Sequence, residues 1–133
     1  VFERYSKEMN LVFKNFPLRN HTFAWPAALA ALAANKQGKF WEIHDQLYAN
    51  YNRLSEQKIR EIAQQVGLDM EKFDKDMKDP ELKALVERDF QEGVGAGVRG
   101  IPTIFVNGRQ LKNRSFQGFQ AAIEKELARK RQP

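Results

Sequence analysis

Cysteine is absent from all 133 residues. That excludes a disulfide, a zinc-thiolate site and a cysteine nucleophile within them, and it removes the usual count from which a redox compartment is read. Long apolar runs are missing too. The longest, Ala27 to Ala34, is alanine-rich, stops at Asn35-Lys36-Gln37-Gly38 and falls well short of a bilayer span, so no membrane-crossing segment is expected. Histidine occurs only at His21 and His44. Glu42, His44 and Asp45 lack the i, i+4 pairing of strong ligands, so no metal is expected and structural hydrogen bonds are the plainer role. The first residues, Val1-Phe2-Glu3-Arg4-Tyr5-Ser6-Lys7-Glu8, have neither a start methionine nor the basic-then-apolar pattern of a secretory signal. They read as the inside of a helix, and the chain is expected to be a fragment or processed product.

With 42% hydrophobic and 29% charged residues, the chain has a globular composition and enough length for one real core. Its net charge of +5 is spread among acidic residues except at Arg129-Lys130-Arg131. No aromatic-and-basic motif accompanies it, so a solvated surface is expected and nucleic acid is not.

Along the chain, Leu11 to Phe16 reads as a strand closed by Pro17, with Lys14 snorkelling near its end. Helical patterns follow. Thr22 to Lys36 is alanine-dominated, with Pro26 in its first turn. Lys39 to Asn50 sets Phe40, Ile43, Leu47 and Tyr48 at helical spacing as a buried stripe. Trp25 and Trp41 read as core or interface aromatics. Ser55, Asp69 and Asp79-Pro80 open three further helices, and Leu54 with Ile59 and Leu68 with Phe73 form hydrophobic staples. Ser115 caps a last helix with Phe116, Phe119, Ile123 and Leu127 on one side. Between the last two helices, Ile104-Phe105-Val106 favours a strand and Asn107-Gly108 a tight hairpin into Arg109 to Lys112. Pro102 stands at the strand's first position, where the missing N–H removes no interior ladder bond. The order strand, helical block, hairpin, helix predicts an α/β architecture with helices on the faces of a buried sheet. Gly95-Ala96-Gly97-Val98-Arg99-Gly100 fits the letter of a dinucleotide-binding run, but it lies after a helix and before a strand. That is the reverse of the phosphate-binding context, and it reads as helix termination.

Gly100-Ile101-Pro102-Thr103-Ile104-Phe105-Val106-Asn107-Gly108 resembles the Gly-x-Pro-Thr-x-x-x-Asn-Gly stretch of thioredoxin-fold proteins. Phe13-Lys14-Asn15-Phe16-Pro17-Leu18 with His21, Gln37-Gly38-Lys39-Phe40-Trp41-Glu42-Ile43-His44-Asp45, and Val66-Gly67-Leu68-Asp69 resemble the DsbA family of thiol–disulfide oxidoreductases. The likeness covers nearly the whole chain, with the motifs in the family's order. It implies a single thioredoxin-like domain of DsbA type over residues 1–133, with an all-helical insertion over 22–97. It further implies that the domain is incomplete at its N-terminus, lacking a first strand and a Cys-x-x-Cys whose helix would end in Val1 to Lys7. A cis Pro102 and a substrate-binding loop of Gly100, Ile101, Pro102 and Thr103 facing the redox pair also follow from the resemblance.

The implied function is disulfide formation or exchange in extended or unfolded protein substrates, with a redox partner protein, no cofactor, and an extracytoplasmic address in the bacterial periplasm or cell envelope. This cysteine-free chain would supply only the proline wall and the helical insertion, with no catalytic residue of its own. The alternatives are a non-catalytic peptide-binding or structural module of the same fold, and a glutathione-transferase or isomerase relative. Loss of a central strand is expected to leave ladder groups on Leu11–Phe16 or Pro102–Val106 unpaired, inviting a homodimer or strand exchange.

Overall fold

Side-chain caps set the boundaries of most helices in the computed structural model, which describes residues 1–132. The helices are α1 (Ala24–Asn35), α2 (Phe40–Ala49), α3 (Glu56–Gln65), α4 (Met70–Asp76), α5 (Pro80–Gly95) and α6 (Phe116–Lys130), with strands β1 (Phe105–Val106) and β2 (Arg109–Gln110) before α6. Ser55 Oγ accepts the Lys58 N–H at 3.0 Å, Asp69 Oδ1 the Lys72 N–H at 3.2 Å, Asp79 Oδ1 the Glu81 N–H at 2.9 Å and Ser115 Oγ the Gly118 N–H at 3.1 Å. Each satisfies an amide that the helix itself leaves without a partner. Pro80 fills the first position of α5, where its missing N–H costs nothing.

The chain divides into two compact units. One runs from Lys14 to Gly97; the other combines Val1–Phe13 with the chain from Val98 onward. In the first unit α1 is the hub, touching α2, α3, α4 and α5. Its alanines explain why: Ala30, Ala31, Ala33 and Ala34 are all buried, and short side chains on several faces let neighbours approach from several sides. Ile43, Ile59, Ile62 and Val86 are buried from the surrounding helices, each contributing about 1.5–3 kcal/mol of transfer free energy.

Four expectations are corrected, the last of them at the N-terminus. Leu11–Phe16 is not a strand, because the sheet among the described residues has two strands, β1 and β2, and a strand exists only as a pairing. Side chains hold the second half of that segment instead: Phe16 stacks on Phe90 at 4.7 Å, and Asn15 is bound by Asp89. The expected buried sheet is therefore replaced, among the described residues, by the two-stranded hairpin, whose residues are exposed or half-exposed. Tyr48 also leaves the buried stripe of α2 at 62% exposure. Ile43 and Leu47 form the core pair, and the Phe40, His44 and Tyr48 rings make a second i, i+4 column one residue, about 100°, around the helix.

In the second unit Glu3–Tyr5 is a 3-10 turn rather than the interior of an α-helix. Tyr5 is buried and donates its hydroxyl proton to Glu124 Oε1 of α6 at 2.9 Å. Burial first, then the Glu124 bond, pushes the Tyr5 phenol above its ordinary value. Bonds from Gln120 and then Tyr5 hold the Glu124 carboxyl below the usual range.

Candidate functional site

The loop from α5 to β1 starts with a helix stop. Ala96 and Gly97 return their N–H groups to carbonyls of the last turn of α5, and Gly97 takes φ +82°, a left-handed conformation that favours glycine. The Gly95–Gly100 run therefore ends a helix and does not begin one. On the far side the hairpin fixes the loop's exit. Asn107 at φ 47° and Gly108 at φ 78° form the tight turn, with Phe105 opposite Gln110 and Val106 opposite Arg109. The Leu111 N–H extends this pairing to the Ile104 carbonyl at 2.8 Å.

The Gly100–Thr103 loop hangs between these anchors, and two side chains brace it. Thr103 Oγ1 donates to the Gly100 carbonyl at 2.6 Å, and Arg114 Nη1 donates to the Pro102 carbonyl at 2.7 Å. The Ile101–Pro102 peptide bond is cis. Ile101 itself is 54% exposed, and among the described residues nothing binds its N–H or its carbonyl. Phe105, on β1, is also exposed. The four residues named from the sequence thus occupy one continuous, braced loop. Its main-chain carbonyls at Gly100 and Pro102 are occupied, while among the described residues nothing binds the main-chain groups of Ile101 or Thr103, of which Ile101 is the exposed one and Thr103 half-buried.

Arg114 is the residue that sequence reasoning missed. Its only sequence signal is that Val98 to Ser115 holds four cations, Arg99, Arg109, Lys112 and Arg114, and no acid. Arg109 faces Glu126 at 3.9 Å; among the described residues Arg99, Lys112 and Arg114 face no carboxylate within ion-pair distance.

The other candidates lie elsewhere. His44 Nδ1 faces Asp45 Oδ1 at 3.2 Å, and no group of three metal-ligating side chains occurs among the described residues. No described helix is long and apolar enough to cross a membrane. A cavity of about 430 Å³ opens between the Arg4–Glu8 turn and the end of α6. It is lined by two arginines and two glutamates, whose charges offset one another.

Residues 3–124 match the family of the DSBA-like thioredoxin domain. The chain is 29% identical to a thioredoxin-like oxidoreductase from Silicibacter pomeroyi of known crystal structure, superposing with a TM-score of 0.74 over 92% of this chain and 69% of that one. It is also 36% identical over 100 residues to a Na(+)/H(+) antiporter NhaA 3 from Salinispora tropica and 32% identical over 108 residues to a Na(+)/H(+) antiporter NhaA from Herminiimonas arsenicoxydans. It covers 74% and 81% of itself in those matches but spans only 15% and 17% of the antiporters' length. The match to the domain family across most of the chain, with a helix-rich fold and small sheet like that of the oxidoreductase, makes this chain a member of the DSBA-like thioredoxin domain family.

Proposed function

We propose that these residues form the substrate-holding wall of a protein thiol–disulfide oxidoreductase acting on extended or unfolded polypeptides. The reading rests on Ile101, an exposed residue whose N–H and carbonyl are bound by nothing among the described residues, on a loop whose flanking carbonyls are already bound. A single residue with both groups free pairs with one residue of an incoming extended chain through two main-chain hydrogen bonds, which is strand addition. Membership of the DSBA-like family supports the redox half.

In thiol–disulfide exchange a thiolate attacks one sulfur of a disulfide, the second sulfur leaves as a thiolate, and a second thiol then resolves the mixed disulfide. No residue here supplies those sulfurs. The contribution of this chain is geometric: Ile101 holds the substrate backbone extended and in register while cysteines outside these residues carry the exchange. The compartment belonging to this proposal is extracytoplasmic, the bacterial periplasm or cell envelope, and a redox partner protein would use the same wall.

Titration of the 15N-labelled chain with an extended peptide carrying serine in place of cysteine tests the wall. The largest amide shifts are expected from Gly100 to Thr103; shifts confined to other regions would overturn the proposal. The coding sequence before Val1 tests the redox half. A Cys-x-x-Cys is expected there, and its absence would leave a non-catalytic peptide-binding module.

A further inference from the structure

We infer that the Ile101 loop selects acidic polypeptide segments, with Arg114 as the specificity-determining residue; this rests on the peptide-wall reading above. Arg114 Nη1 is committed to the Pro102 carbonyl, so its guanidinium is anchored one residue from the free main-chain groups of Ile101. A guanidinium has five N–H donors in a rigid fork. One is used on Pro102, and Arg114 is an exposed residue, so the donors left over are those a peptide paired at Ile101 would meet.

The surroundings have one sign. Arg99, Lys112 and Arg114 are exposed, no acid occurs from Val98 to Ser115, and while Arg109 pairs with Glu126, the other three cations meet no carboxylate among the described residues. A peptide paired at Ile101 therefore sits in an unneutralised positive field. A carboxylate on a residue near the paired one would meet the free edge of Arg114, while a lysine there would be repelled. Phosphate would meet the same field, but the free N–H and carbonyl of Ile101 and the exposed Phe105 suit an extended polypeptide better than a sugar-phosphate chain.

The test uses three extended peptides of one length, with serine in place of cysteine and with Glu, Gln or Lys flanking the central residue. Each is titrated into the 15N-labelled chain and followed at the Ile101 amide. At low salt the Glu peptide is expected to bind about 3- to 10-fold more tightly than the Gln peptide, with the Lys peptide weaker still. The range is that of one or two exposed charge pairs, and the ratio should shrink in high salt.

Arg114→Gln should bring the Glu-to-Gln ratio close to one, and Arg114→Lys, which keeps the charge, should retain part of it. A purely structural role would weaken all three peptides alike in both variants, which overturns the inference. If Arg114→Gln does not fold, Lys112→Gln should still lower the ratio, because it removes part of the same field without touching the Pro102 brace. Equal binding of all three peptides at Ile101 overturns the acidic preference and leaves the wall intact. No shift at Ile101 with any peptide overturns both. Displacement of the Glu peptide from Ile101 by a single-stranded oligonucleotide of equal charge, at equal or lower concentration, overturns the inference in favour of nucleic acid.

Discussion

Asp89 carries the sharpest test of how the segment before α1 is held. It lies on α5, 5% exposed, and its Oδ2 accepts both the Asn15 backbone N–H at 3.0 Å and the Asn15 Nδ2 at 2.9 Å. Asn15 is equally buried. Asp89→Ala leaves two buried donors without an acceptor, each costing about 1–3 kcal/mol. Water entering the vacated volume relieves part of this, so the expected loss is about 2–4 kcal/mol.

Asp89→Asn should cost less. A carbonyl oxygen replaces Oδ2 at the same place, and the change is from charged to neutral hydrogen bonds, about 1–2 kcal/mol. Lys14→Met is the control: Lys14 lies 3.1 Å from Glu92 and 3.8 Å from Asp89 but is 56% exposed, so its loss should cost at most about 1 kcal/mol. Urea unfolding followed by far-UV circular dichroism gives the global effect, and hydrogen exchange of the Asn15 amide gives the local one. An Asp89→Ala chain within about 0.5 kcal/mol of the parent, with unchanged protection at Asn15, would refute the reasoning. So would a variant series in which Asn costs as much as Ala.

Gly118→Ala reverses the usual helix expectation. Alanine normally gains about 1 kcal/mol over glycine inside a helix, yet a Cβ here would fall onto the Asn113 carbonyl oxygen, with the Asn113 Cγ at 2.7 Å. A loss of about 1–3 kcal/mol is expected by urea unfolding, and any stabilisation would contradict the geometry. The charge cluster between α1 and α5 predicts a pH dependence. The Glu81 N–H and then Lys36 hold the Asp79 carboxyl below its ordinary value of 3.8, so its contribution is fully present above that value and is lost as pH falls below it. Bonds to Asp79 and then Asp76 raise the Lys36 ammonium above 10.5, so that contribution is complete below 10.5 and disappears as pH climbs past it. The urea midpoint should fall at both extremes, and Lys36→Met should remove its part of the alkaline arm while only reducing the acid arm, because the Glu81 N–H still holds Asp79; an unchanged profile in that variant would refute the pairing. Finally, the 133-residue chain should neither reduce insulin disulfides nor consume a thiol reagent, and measurable turnover would overturn the assignment of the chemistry to other residues.

Features fixed by neighbours in sequence were legible without a structure. Ser55, Asp69, Asp79 and Ser115 cap their own helices within three residues, and Asn107-Gly108 takes the conformation that its chemistry favours. Features that depend on distant partners were not legible. Periodicity could not separate Leu47, buried in the helical core, from Tyr48, one step around the helix. Leu11–Phe16 has strand composition, but composition does not supply a ladder partner. Asp89 was not singled out in the sequence, although a carboxylate next to the apolar positions of α5 must find donors when buried, and its partner lies 74 residues away. Arg114 lies 12 residues from the carbonyl it braces, and nothing in the local sequence links the two.

The wall's own energetics explain why it works only beside a covalent step. Two neutral main-chain hydrogen bonds at Ile101 contribute about 0.5–1.5 kcal/mol each after desolvation, and an exposed Phe105 adds a partial apolar contact. That sum must also meet the cost of ordering an extended peptide. A dissociation constant of 1 mM corresponds to about 4 kcal/mol, so binding by the wall alone belongs in the millimolar range or weaker. A mixed disulfide would make the same contacts intramolecular, where they need only set register rather than affinity. The peptide titration should therefore show fast exchange, with Ile101 shifts that move continuously and saturate late. A slow-exchange complex of micromolar or tighter affinity would mean that recognition uses far more surface than this loop, and the division between a weak positioning wall and a covalent trap would fail.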